Sequence, residues 1–177
     1  EPVVPLPYEP ENSNILTSLD NEHYRDGRAL PIYDALVIYD DADDAFAFEL
    51  VTRLRAKNYL LCLKDDLLPG LEFEYDSMLT LLSKRCNRVI VIISRKFLES
   101  KMQVSLTNYA QSLNIERGGK SKIVPCVLEK LEASELPQML RFCFRLDYFR
   151  HNKLFDFWAK LEQSLLLSVD VKNGARR

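Results

Sequence analysis

The chain has 177 residues, 47% apolar and 28% charged, with a formal net charge of −2. That length and balance describe one folded domain with its own core plus flanking segments, and they exclude a disordered or fibrous chain. A near-neutral charge gives no footprint for nucleic acid, no apolar run is long enough to span a bilayer, and there is no signal-peptide pattern at the start; the first residue is Glu1 and not Met, from which part of a longer protein is expected.

Residues 1–30 differ in texture from the rest. Half of the chain's eight prolines fall in EPVVPLPYEP, and the acidic, Asn- and Ser-containing stretch that follows has no sustained period. This reads as a linker or docked arm, with at most a weak helical turn around Leu16 to Leu19.

From residue 31 the pattern becomes regular. YDALVIY (33–39) is a short β-branched apolar run, the signature of a buried strand. The acidic cluster Asp40, Asp41, Asp43 and Asp44 follows, and Asp43 or Asp44 is placed to cap a helix with apolar positions at Ala47, Leu50 and Leu54. YLLCL (59–63) is a second strand candidate, and the loop LKDDLLPGLEF (63–73) comes after it. Tyr75, Met78, Leu79 and Leu82 repeat at helical spacing. RVIVII (88–93) is the clearest strand, and Met102, Leu106, Tyr109, Ala110 and Leu113 mark a third helix ending before Gly118-Gly119.

KIVPCV (122–127) is a fourth strand, in which Pro125 lacks a ladder donor and argues for an edge or end position. A short helix is expected in 132–141, a short strand in FRLDY (144–148), and a closing helix through Leu154, Phe157, Trp158, Leu161 and Leu165. Apolar strands alternating with helices imply a flavodoxin-like doubly wound α/β domain: a five-stranded parallel sheet with helices on both faces. Its span is expected at 31–168, followed by a tail at 169–177.

Ligands of such folds bind at the carboxyl edge of the sheet. Neither GxGxxG nor GxxxxGK[ST] follows the first strand, so no nucleotide-phosphate cradle is expected. The acidic cluster after that strand would suit a phospho-accepting receiver only with a carboxylate at the end of the third strand. Ser94 and Arg95 stand there instead, and the cluster is read as helix-capping. Cys62, Cys86, Cys126 and Cys143 have no CxxC spacing and read as reduced, mostly buried thiols. With only His23 and His151 beside them, neither a zinc site nor a nucleophile–histidine pair is expected.

Three stretches, in order and spacing, resemble the Toll/interleukin-1 receptor (TIR) domain family. YDALVIYDDAD is similar to its first box, DDLLPG to its second box in the loop after strand two, and FDFWAKL to the Phe-Trp pair of its third. SRKFLESK (94–101) and KIVPCV also resemble its segment after strand three and its fourth strand. The Leu-Pro-Gly variant and SKRCNRVIVIIS look most like adaptor members that join a death domain to a TIR domain.

The resemblance implies a cytoplasmic, non-enzymatic module of innate immune signalling. It would associate with TIR domains of Toll-type receptors or other adaptors and weakly with itself, without cofactor, metal, nucleic acid or membrane insertion. The alternatives are a receptor's TIR tail and an NAD-cleaving TIR enzyme. Enzymatic members use a glutamate in the third helix. Counted without gaps, that position is Leu106, and no acidic residue lies between 100 and 115. Glu99 and Glu116 are about two and three helical turns away.

Carried over residue by residue, the partner-binding candidates are Asp65, Asp66, Leu67, Leu68, Pro69 and Gly70, with Lys160 on the last helix. Tyr33, Asp34, Phe157 and Trp158 are expected to be structural. Where the family has arginine this loop has Asp65, so its partner surface is expected to be basic. Leu67 and Leu68 on a charged Pro-Gly turn read as an exposed pair, with one of them equally able to fold back. Burying both would contribute on the order of 3–6 kcal/mol gross.

Overall fold

The computed structural model describes residues 14–71, 74–113, 122–141 and 143–166. Its strands are β1 (Tyr33–Ile38), β2 (Leu61–Leu63), β3 (Cys86–Ile93), β4 (Ile123–Val127) and β5 (Leu146–Asp147). They form one sheet in the order β2-β1-β3-β4-β5, with every pairing parallel. This is the doubly wound topology expected from the apolar runs, and the chain reverses direction of growth between β1 and β3.

Alternate sheet residues feed two cores. Leu36, Ile38, Val89, Val91, Ile93, Ile123 and Val127 pack on one face with α3 (Glu74–Thr80), α4 (Arg95–Glu99) and α5 (Lys101–Ser112). Ala35, Val37, Ile90, Ile92, Val124 and Cys126 pack on the other with α2 (Asp44–Ala56) and α6 (Phe157–Leu165). Side chains of successive strand residues point to opposite faces, so continuous apolar strands are what a doubly covered sheet requires.

Several sequence expectations change. The segment before β1 contains a true helix, α1 (Ser18–Arg25), and not merely a weak turn. Thr17 and Asp20 cap each other's backbone at its start, and Gly27, at φ +67°, ends it. Asp43 precedes α2 but makes no capping bond to it. Asp40 instead caps a short 3-10 turn, Asp41–Asp43, by accepting from the Ala42 N–H. β4 is not an edge strand. β5 pairs with it only at Cys126 and Val127, so Pro125 sits in register with Val91 on one side and ahead of the β5 pairing on the other.

The expected helix in 132–141 is reduced to a 3-10 turn, Gln138–Leu140. Leu154 stands outside α6 and is 98% exposed, because Asp156 caps the helix by accepting from Ala159 N–H and so fixes its start at Phe157. The Pro-rich residues 1–13, Gly118-Gly119 and the tail expected at 169–177 lie outside the described residues. None of the four cysteines is in a disulfide; Cys143 is half-buried and the others are buried.

Candidate partner-binding loop

The loop after β2 begins with a 3-10 turn, Lys64–Asp66. Asp66 closes it: its Oδ2 accepts the Leu63 N–H at 2.9 Å and takes a longer 3.4 Å contact from Arg55 Nη2. Asp65 Oδ2 accepts a 2.9 Å hydrogen bond from the Tyr39 hydroxyl at the end of β1. Lys64 Nζ pairs with Asp41 and lies 5.0 Å from the centre of the Tyr39 ring. All three charges therefore have partners inside the chain. Asp65 is exposed, but the carboxylate expected to face a basic partner is already engaged by Tyr39. Burial, followed by the bond to Asp65, pushes the Tyr39 phenol up, so it remains a protonated donor.

Both leucines are half-buried. Leu67 packs against the α3/α5-side core and pairs with Thr17 in an isolated antiparallel bridge. The Leu68 N–H donates to Leu16 O at 2.9 Å. Leu67 thus packs on the core while Leu68 is tied down through its backbone, and the apolar area the half-buried pair leaves exposed is well below that of two free side chains. The crown of the loop is Pro69-Gly70, both exposed. Gly70 adopts φ +88°, a conformation a side chain resists, and a Cβ there would meet nothing within 4 Å. Beneath the loop runs an open groove of about 370 Å³ lined by Asp41, Lys64, Asp65, Leu67, Leu68, Gly70, Leu71 and Glu74.

The other candidates are elsewhere. Lys160 is exposed on α6, in the layer opposite the core that receives Leu67. Phe157 is fully buried and forms edge contacts with Trp158 at 5.0 Å and Tyr148 at 5.2 Å between ring centres. Arg53 lies 4.3 Å over the Trp158 ring. Asp34 Oδ2 accepts the Leu60 N–H at 2.8 Å and fixes the entry into β2. Tyr33 is buried, and its hydroxyl contacts Thr17 at 2.6 Å and Asp20 at 2.9 Å. Tyr33, Asp34, Phe157 and Trp158 thus each make their contacts within the fold.

At the remaining carboxyl edge, Ser94 Oγ donates to Asp43 Oδ2 at 2.5 Å while accepting the Phe97 N–H that starts α4. Burial raises the Asp43 carboxyl above its usual range, against the lowering effect of the Ser94 bond. Arg95 bridges Glu129 at 3.0 Å and Glu135 at 3.4 Å. Among the described residues, no group of three or more His, Cys, Asp or Glu is placed to hold a metal ion. His23 contacts Ala29 O, and His151 Nδ1 accepts the Phe157 N–H at 3.1 Å, so each histidine terminates local backbone structure. Leu106, which the sequence count placed at the enzymatic members' glutamate position, lies in α5 and is fully buried. It lines a cavity of about 10 Å³ with Gln103, Met78 and Glu74, room for little more than a water.

Sequence reasoning missed Tyr39 and the pair Thr17–Asp20. The signal for the second was present: Thr-x-x-Asp ahead of a charged run is a capping-box pattern.

The fold and its site define a flavodoxin-like α/β domain whose carboxyl edge carries a projecting, internally braced loop. The TIR domain family model matches residues 36–165, most of the chain, and the protein belongs to the TIR domain family. Members of this family include signalling modules that associate TIR to TIR and members that cleave NAD. Among solved structures, the TIR domain of the Toll-related receptor TRR-2 from Hydra magnipapillata is similar, with 21% identity and a TM-score of 0.64. The match covers 75% of this chain and 98% of that one. A TIR-STING receptor from C. gigas, solved in complex with 2',3'-cGAMP, matches at 22% identity and a TM-score of 0.58. A second structure of a C. gigas TIR-STING receptor matches at 20% and 0.59. The matches take in 76% and 77% of this chain but only 40% and 41% of those receptors. Among the described residues, no helix is long and apolar enough to cross a membrane.

Proposed function

We propose that the chain is a non-enzymatic signalling module of a cytoplasmic innate-immune adaptor of the myeloid differentiation type, in which a death domain accompanies the TIR domain. It acts by TIR–TIR association with Toll-type receptors or other adaptors and by weak self-association, and residues 65–70 are its main contact surface. The observation that carries this reading is the loop itself. Pro69 and Gly70 stand exposed at the crown while Asp65 and Asp66 brace its base against Tyr39 and Leu63. A fixed, exposed turn loses little conformational freedom on binding, so a modest apolar contact suffices. Copies joined head to tail through such a loop form open assemblies, in which weak contacts gain strength by number. Lys160, on the other layer, would serve a second neighbour in the same assembly.

The absence of catalysis is supported by the burial of Leu106 and by the water-sized cavity beside it. Two experiments test the reading. Pro69→His is expected to abolish assembly and receptor-TIR association with little change in melting temperature; an unfolded variant, or one that still assembles, refutes the contact surface. Incubation with NAD is expected to release no nicotinamide above a heat-killed control. Turnover would refute the non-enzymatic assignment and point to Glu74, the carboxylate lining both the cavity and the groove.

A further inference from the structure

The loop is not shaped by its own turn alone. Among the described residues, the Leu68–Leu16 bond is the backbone–backbone hydrogen bond that ties it, beyond Lys64–Leu67, to the rest of the chain. The neighbouring Leu67–Thr17 bridge extends that pairing by one residue. The segment that receives the loop is itself deeply seated, with Leu16 5% and Thr17 1% exposed. Residues 16 and 17, ahead of β1, therefore hold Leu67 and Leu68 through one backbone hydrogen bond and one isolated antiparallel bridge.

What holds that segment is a buried polar network. Asp20 is fully buried; its Oδ2 accepts the Leu16 and Thr17 N–H groups at 3.0 and 3.2 Å. Its Oδ1 accepts from the Tyr33 hydroxyl and, at 2.6 Å, from Arg85 Nη2. Arg85 also donates to Pro31 O at 3.1 and 2.8 Å and to Asn14 O at 3.0 Å, gripping the segment at both ends. It can do so because α3 ends in a wider five-residue π turn, Leu81–Arg85, which delivers the guanidinium inward just before β3.

We propose that Thr17, Asp20 and Arg85 are positioning residues for the partner-binding loop: by anchoring residues 14–20 they keep Leu67-Leu68 in the form that associates. The proposal rests on the reading of residues 65–70 as the contact surface and adds what sets its shape. None of the three faces a partner. Each acts through the Leu16–Leu68 and Thr17–Leu67 pairing. A loop that occupies its competent form a tenth as often associates about tenfold more weakly, with no contact residue altered.

The test uses the whole 177-residue chain. Thr17→Val removes the hydroxyl and keeps the bulk, Thr17→Ser keeps the hydroxyl, and Asp20→Asn removes the charge. The measurements are hydrogen exchange at the Leu68 amide and the concentration of half-maximal assembly by light scattering. Thr17→Val and Asp20→Asn are expected to speed Leu68 exchange about tenfold, leaving β1 and β3 amides protected, and to raise the assembly concentration by a similar factor. Thr17→Ser is expected to match the parent in both.

Undiminished Leu68 protection in Thr17→Val, or parent-like assembly despite lost protection, overturns the proposal. So does equal failure of Thr17→Ser. If Asp20→Asn does not fold, the two Thr17 variants decide alone. A Pro69→His chain that assembles normally refutes the contact surface instead, and Leu68 exchange then judges the anchoring independently.

Discussion

Replacing Arg85 by methionine isolates the buried ion pair as a contributor to stability. Arg85 is 7% exposed and Asp20 is fully buried, with 2.6 Å between Nη2 and Oδ1. Methionine retains much of the apolar stem but leaves the Asp20 carboxylate without its cation and two backbone carbonyls without their donors. Breaking one side of a buried pair costs about 3–5 kcal/mol, because the partner charge stays where water cannot reach it. For a domain of this size that corresponds to a fall of about 6–20 °C in melting temperature. The single tryptophan, Trp158, packs in an aromatic cluster on the other face and gives an independent fluorescence signal for urea unfolding. If the loss is electrostatic, Arg85→Met in an Asp20→Asn background should cost at least about 1.5 kcal/mol less than in the parent. A loss below about 1 kcal/mol, or additive single and double variants, refutes the reasoning.

Asp43→Asn should stabilise the chain at neutral pH relative to the parent. The folded carboxyl is raised above 3.8, chiefly by burial, so its ionised form is disfavoured in the fold, and the parent loses that stability as pH rises through the folded value. The advantage of the variant should vanish in acid, below the unfolded value; denaturant midpoints at pH 3 and pH 7 check the sign. Tyr39→Phe keeps the ring but removes the donor to Asp65, and should cost about 1 kcal/mol in urea unfolding while loosening the base of the loop in hydrogen exchange. Phe157→Ala should cost about 3–5 kcal/mol, whereas Leu154→Ala should lie within about 0.5 kcal/mol of the parent, a contrast thermal melts resolve directly.

Apolar runs that belong to a doubly covered sheet are legible because every residue must be buried, and 33–39 and 88–93 read accordingly as β1 and β3. The loop was legible from its Pro-Gly turn and from its resemblance to the family's second box. Less legible was everything settled between distant residues. α1 is a polar helix whose seat depends on an Asp20–Arg85 contact that no local period encodes. The hydrogen bond that Asp65 accepts from Tyr39 was not legible, because it joins residues 26 positions apart. Leu154 fitted the helical spacing of the last element, but the cap at Asp156 outranked periodicity and left it in solvent.

The two outer strands of the sheet are short, three residues in β2 and two in β5. A long, flat rim would invite other chains to extend the sheet by strand addition. With so few free backbone groups along either rim, the sheet offers little template for irreversible edge-to-edge growth. The brevity of β2 and β5 thus leaves the folded domain with little rim on which a further strand could be laid.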